Sequence, residues 1–165
     1  RRYWLMKAEP ETRIEKGKDV KFSIDDLAAC DSPQGWDGVR NYGARNNLKS
    51  MKEGDLAFFY HSNCKNPGIV GIMRIDRSAT VDPTAFDPKE PYYDPKSDPA
   101  SPKWFLVHVS FVRKFARTIG LHELKTYAAG PLATMPLLKQ GRLSVSEVPK
   151  VCWDFVLGLE KKEEE

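Results

Sequence analysis

Behind a turn at Lys52-Glu53-Gly54-Asp55, the chain carries Leu56-Ala57-Phe58-Phe59-Tyr60. Such an unbroken apolar run has no polar alternation and hence no solvent-facing side, and it is too short for an ordinary helix. It reads as a buried strand. A buried strand needs neighbours for its backbone N–H and C=O groups, and the rest of the chain has to supply them. Tyr3–Lys7, Ile69–Ile75, the alternating stretch Trp104–Phe115 and the short run Leu143-Ser144-Val145 read as those neighbours. Pro10, which lacks a donor, ends the first or leaves it at an edge. Gly71, inside Ile69–Ile75, marks a bend or a close approach.

Helical spacing appears between these runs. Ser23 opens a helix over Ile24–Cys30, with Ser23 and Asp26 forming an S-x-x-D capping pair and Asp25 favourable beside them. Ala44–Met51 places Leu48 and Met51 on one face, while Arg45, Lys49 and Lys52 share another. Leu121–Ala128 and Leu132–Gln140 are short helical pieces interrupted by Gly130-Pro131 and Pro136. Ser146 is expected to cap a last helix from Glu147 to about Leu157. Asp76–Pro102 holds six of the twelve prolines and reads as a long, stiffened loop, either a lid, a docking surface or ordered packing by Phe86, Tyr92 and Tyr93. Short strands separated by helices and loops suggest one α+β domain over residues 1–165, a mixed β-barrel with short surrounding helices, its core about 3–158.

At 165 residues the chain is long enough to bury a proper core. Its 41% hydrophobic and 30% charged residues are globular values. Net charge is +3; the acidic tail 160–165 has four Glu against two Lys, so the remainder carries +5. That permits nucleic-acid binding without announcing it. No run of about 18 apolar residues suggests a membrane span. Without a signal-peptide pattern or an initiator Met, the chain reads as part of something longer. Cys30, Cys64 and Cys152 are far apart with no C-x-x-C or Cys/His cluster, so neither zinc nor a disulfide framework is expected, and a reducing, intracellular compartment fits. No cofactor is expected: there is no phosphate-cradling glycine motif, no nucleophile elbow and no deaminase pattern.

The stretch from Trp36 to Lys49 stands out. Aromatic, amide and guanidinium side chains crowd there around Gly38 and Gly43. A planar, hydrogen-bonding ligand such as a nucleobase needs such partners. Trp36, Tyr60 and Trp104 are the candidate stacking platforms; Glu9, Asn41, Asn46 and Ser62 are candidate readers of a base edge. Arg40, Arg45, Lys49 and Arg142 are candidate phosphate contacts. His61, at a strand end, is assigned to binding, whereas His108 and His122 are assigned to structure.

Four blocks carry a family resemblance: Tyr3-Trp4-Leu5-Met6-Lys7-x-Glu9-Pro10, Trp36-x-Gly38-Val39-Arg40-Asn41-Tyr42-x-Ala44-Arg45-Asn46-x-Leu48, Met51-Lys52-x-Gly54-Asp55-Leu56-x-Phe58-Phe59-Tyr60-His61-Ser62 and Gly141-Arg142-Leu143-Ser144-Val145. Together they resemble the EVE domain of the PUA-like superfamily, across nearly all of residues 3–157. The resemblance implies a small β-barrel with helices outside. Its YTH and SRA relatives bind modified bases flipped into a pocket. A pocket is therefore implied near the candidates above, with Pro10 and Val39 among its walls.

The expectation is a non-enzymatic reader of a modified base, 5-hydroxymethylcytosine or 5-methylcytosine, in DNA ahead of RNA. A nuclear location follows from the resemblance, and a monomer is expected. An RNA reader of N6-methyladenine type is the alternative within this class. An enzyme using Glu9, Asp37 and His61 as acid–base groups is the rival from another class. A third reading is a protein-interaction module working through the proline-rich loop 76–102.

Overall fold

A computed structural model describes residues 1–162, so part of the acidic stretch 160–165 lies outside the described residues. Its frame is a six-stranded sheet in the order β4-β7-β6-β5-β1-β8, formed by β1 (Tyr3–Ala8), β4 (Gln34–Gly35), β5 (Leu56–His61), β6 (Gly68–Val81), β7 (Phe105–Gly120) and β8 (Val145–Glu147). A small hairpin, β2 (Ile14–Glu15) and β3 (Lys18–Asp19), stands apart. The apolar run is β5, paired in parallel with β1 and antiparallel to β6. Every other pairing in the large sheet is antiparallel. The fold class is α+β, as expected, but the sheet does not close: among the described residues β4 and β8 end it rather than pairing with each other.

The period-two alternation of strands sends neighbouring side chains of β1 and β5 into two separate cores. Trp4, Met6, Ala57 and Phe59 face the first, together with Ile24 and Leu27 of α1 (Ile24–Ala28) and Ala44 and Leu48 of α2 (Tyr42–Ser50). Leu5, Phe58 and Tyr60 face the second. There they meet Leu124 of α3 (Leu121–Lys125), Leu137 of α4 (Pro136–Lys139) and Trp153 of α5 (Lys150–Glu160). Phe58 stacks on Trp153 at 3.9 Å. Helices thus cover both faces of the five-residue apolar run.

Local signals held where the chain satisfies itself locally. Ser23 accepts from Asp26 N while Asp26 accepts from Ser23 N, a complete capping box at α1. Gly71 sits at a register shift of β6, where a Cβ would collide with Ile24 and the Arg113 carbonyl. At the last helix the outcome differs. Ser146 is buried and pairs with Leu5 across β1, so the strand runs to Glu147 and α5 starts only after Pro149. Strand β6 also runs past Ile75 to Val81, because β7 pairs with it as far as Phe105. The irregular proline-rich segment therefore begins at Asp82, and Pro83–Phe86 is a 3-10 turn capped by Asp82.

Candidate functional site

A pocket of about 620 Å³ opens at the edge of the first core. Its walls come from six places: the end of β1 through Glu9, the segment Lys18–Phe22, the segment Gln34–Val39, Ser62 after β5, Glu90–Tyr92 and the approach to β8 at Gly141–Ser144. Of the residues selected from the sequence, Glu9, Trp36, Val39, Ser62 and Arg142 line it, as does Asp37.

Trp36 forms the floor. Only 8% of it is exposed, and its ring meets Phe59 edge-on at 5.4 Å and Phe22 at 6.1 Å. It belongs to the core and to the pocket wall at once, so one side chain transmits the rigidity of the sheet to the cavity.

Next to it, Asp37 lines the pocket with its side chain still exposed, partly desolvated by the surrounding walls. That desolvation pushes its carboxyl up to about 6; the neighbouring Asp82 carboxylate adds to the shift and the Arg40 guanidinium opposes it. Gly38 follows with φ +80, a conformation only glycine adopts freely. The Tyr92 ring lies so close to it that a Cβ would stand 2.5 Å from Cδ2. Burial raises the Tyr92 phenol above its ordinary value, with the Asp37 charge adding to it.

Asp82, fully buried, holds the two loops together. One oxygen accepts from Gly38 N at 3.0 Å and from Arg40 Nη1 at 2.9 Å; the other accepts from the Thr84 amide at 2.9 Å and its hydroxyl at 2.6 Å. Arg40 also donates to the Tyr92 carbonyl, at 3.0 and 2.7 Å. The proline-rich segment is thereby fastened down as a pocket wall. Lys18 pairs with Glu90 at 2.9 Å and Lys16 donates to the Pro88 carbonyl, so the β2–β3 hairpin braces it from the other side.

Several selected residues serve elsewhere. Tyr60 points into the second core, where burial raises its phenol to about 12, and it is not a platform in this pocket. His61 Nε2 accepts from the Ile24 amide at 3.1 Å, satisfying the start of α1, and burial lowers its pKa. Asn41 caps α2 through Ala44 N, and Asn46 accepts from the Arg45 guanidinium. Trp104 is buried, stacks on Tyr42 and donates to Asp94 at 2.7 Å. Pro10 is half-buried outside the pocket lining. Arg40 is committed to Asp82, Arg45 donates to the Lys103 carbonyl and Lys49 lies over Phe105. Arg142 is the proposed phosphate contact that stays exposed at the pocket rim.

Sequence reasoning passed over Phe22, Gln34 and Tyr92 as pocket residues. Their distance along the chain from the Trp36 stretch hid Phe22 and Tyr92, whereas Gln34 was absorbed into a turn. Among the described residues no group of three or more His, Cys, Asp or Glu side chains is placed to hold a metal ion. No helix there is long and apolar enough to cross a membrane. What remains is an apolar floor beside a carboxylate whose pKa is raised by partial desolvation, an arrangement suited to a flat heterocycle with a polar edge.

Comparison with known proteins places the chain in a family. The EVE domain model matches residues 2–159. Mouse thymocyte nuclear protein 1 is 54% identical over 168 residues, covering 98% of this chain and 74% of that protein. An uncharacterised fission-yeast protein, C21.03c, is 44% identical over 99% of this chain and 70% of its own length. The crystal structure of human THYN1 protein in complex with 5-methylcytosine containing DNA superposes with a TM-score of 0.95 at 52% identity, covering 99% of this chain and all of that one. With the family model spanning all but the extreme ends and the same backbone recurring in a solved member, this chain belongs to the EVE domain family.

Proposed function

We propose that this protein is a non-enzymatic reader of modified cytosine in DNA, with 5-methylcytosine as its first ligand and 5-hydroxymethylcytosine as the close competitor. The observation that carries this reading is Asp37 beside the Trp36–Phe22–Val39 floor. Cytosine presents an N4 amine, and a carboxylate is its natural acceptor. Thymine presents a carbonyl at the same place, which a carboxylate repels. The edge-reading role thus passes from Asn41 and Asn46 to Asp37, with Ser62 and Glu9 on the rim. The apolar floor of Trp36, Phe22 and Val39 suits a methyl group better than a hydroxymethyl group, whose hydroxyl needs a partner. The solved human relative bound to 5-methylcytosine containing DNA supports the same ligand class. A nuclear location and a monomeric reader accord with this role.

The test is a titration of paired oligonucleotides that differ only at one cytosine. The methylated one should bind more tightly by about 1–3 kcal/mol, the range for one extra carbon in an apolar pocket, and be recovered unchanged in mass. A shortened or altered strand would identify an enzyme instead. The pH dependence has a definite sign. The ionised Asp37 accepts from N4, so affinity is full above about 6 and falls as pH drops through that value. One pH unit below it the loss is about tenfold. Asp37→Asn should abolish that pH dependence and relax discrimination against thymine, because a carboxamide can turn to donate. Stability runs the opposite way: the raised pKa favours folding at low pH, and that contribution is lost as pH rises to about 6. Weaker binding in acid therefore cannot be ascribed to Asp37-linked unfolding.

The salt response separates the cations. Arg142→Ala should reduce the slope of log affinity against log salt by about one. Arg40→Ala should instead lower the melting temperature, because its guanidinium belongs to Asp82. An unchanged slope in the Arg142 variant would remove it from the DNA contact.

A further inference from the structure

Tyr42 is out of character for this protein. Most of its aromatic side chains are buried or half-buried, yet Tyr42 is 54% exposed. It is nevertheless held in place. The buried Trp104 stacks against it at 5.0 Å with 22° between the rings, and Trp104 is anchored in turn by Asp94. The Arg45 guanidinium lies over the Tyr42 ring at 4.8 Å, positioned by the Lys103 carbonyl and by Asn46. Lys103 itself stands 5.8 Å from the Trp104 ring. An ordered aromatic beside cations thus keeps more than half of its surface open to solvent.

Its location gives that surface a use. Asn41 and Gly43, the neighbours of Tyr42 in the chain, line a second, shallower groove with Gln140, Gly141, Arg142 and Leu143. Gly141 and Arg142 also line the base pocket. The Gly141–Arg142 rim is therefore shared by the pocket and by a groove that reaches the α2 start, where Tyr42 lies. Arg142 on that rim is exposed, and a cation there matches a phosphodiester backbone.

We infer that the Tyr42–Arg45 surface is a second stacking site, which takes the base adjoining, in the same DNA strand, the one held in the pocket. This rests on the DNA reading proposed above and extends it from one nucleotide to two. Taking one base out of a stack deprives its neighbour of a partner, and an aromatic ring edged by a guanidinium restores that contact without regard to sequence. The first site reads identity, while the second contributes affinity for a strand.

The experiment compares two probes on the intact chain, 5-methyl-2'-deoxycytidine monophosphate and a duplex carrying one 5-methylcytosine. Tyr42→Ala should weaken the duplex about tenfold, within the range for loss of one stacked base. It should leave the mononucleotide unaffected, and Tyr42→Phe should behave as the parent on both. Alanine is the best helix former and Tyr42 is exposed, so the fold should survive the change; an unchanged melting temperature verifies that. A duplex lacking the base on one side of the methylcytosine should lose a similar factor with the parent and nothing further with Tyr42→Ala. Equal duplex binding by parent and Tyr42→Ala overturns the second site while leaving the pocket standing. An equal loss for duplex and mononucleotide also overturns it, because Tyr42 then serves the pocket. A parent that binds methylated and unmethylated probes alike overturns the pocket reading, and the second site with it.

Discussion

Asp82→Ala is expected to remove about 3–5 kcal/mol of stability, the cost of leaving one partner of a buried ion pair uncompensated. The carboxylate is fully buried and its partner Arg40 is only 21% exposed at the side chain, so solvent screens this pair little. Four hydrogen bonds end on its two oxygens, from Gly38, Arg40 and both donors of Thr84. Their loss loosens the Trp36–Arg40 segment against the Asp82–Asp94 segment, two walls of the pocket then joined mainly through Arg40 and the Tyr92 carbonyl. Against a total of about 5–15 kcal/mol for a domain, such a loss is a large fraction. A denaturation series with Asp82→Ala, Arg40→Leu and the double variant checks the account. The double variant should be less destabilised than the sum of the singles, because it strands no charge. Strict additivity would mean that the pair is not coupled as its geometry implies. Ligand binding should fall in both single variants even at temperatures where they stay folded, since Arg40 also holds the Tyr92 carbonyl.

Trp36→Ala comes next in size, again at about 3–5 kcal/mol, the usual range for deleting a buried Trp or Phe side chain. An aromatic that served only a ligand could be truncated without harm to the fold. Trp36 is different: its ring closes the first core against Phe59 and Phe22. With a slope of about 2 kcal/mol per molar urea, the midpoint should fall by roughly 2 M. Loss of binding in this variant would therefore confound the floor of the pocket with the integrity of the core. Trp36→Phe separates the two. It keeps an apolar ring in the core at a smaller loss, while deepening the pocket floor and weakening selection for the methylated base. A Trp36→Ala midpoint within a few tenths molar of the parent would show that the first core does not depend on this ring.

These two side chains also illustrate where sequence stops being sufficient. Features that depend on neighbours in the chain were legible there. The Ser23–Asp26 box closes over three residues, the Leu56–Tyr60 run is buried whatever covers it, and Gly71 marks a close approach in any topology. The crowd of polar and aromatic residues around Gly38 likewise lies where the pocket opens. Which of them would face a ligand was a tertiary matter. Guanidinium groups take the nearest buried carboxylate, so Arg40 was claimed by Asp82, 42 residues away. His61 was claimed by the first amide of α1, 37 residues earlier in the chain. Phe59 and Tyr60 are adjacent aromatic residues, but strand pleating sent one to the pocket side and the other to the opposite core. Tyr92, in a proline-rich segment with no local pattern of its own, became a pocket wall only because Gly38 has no side chain to keep its ring away. Local propensity and hydrophobic period determined the elements and the neighbourhood of the site. Long-range pairing of buried charge and the face assigned by the sheet decided its members, because both depend on which segments meet, and no short window of sequence contains that information.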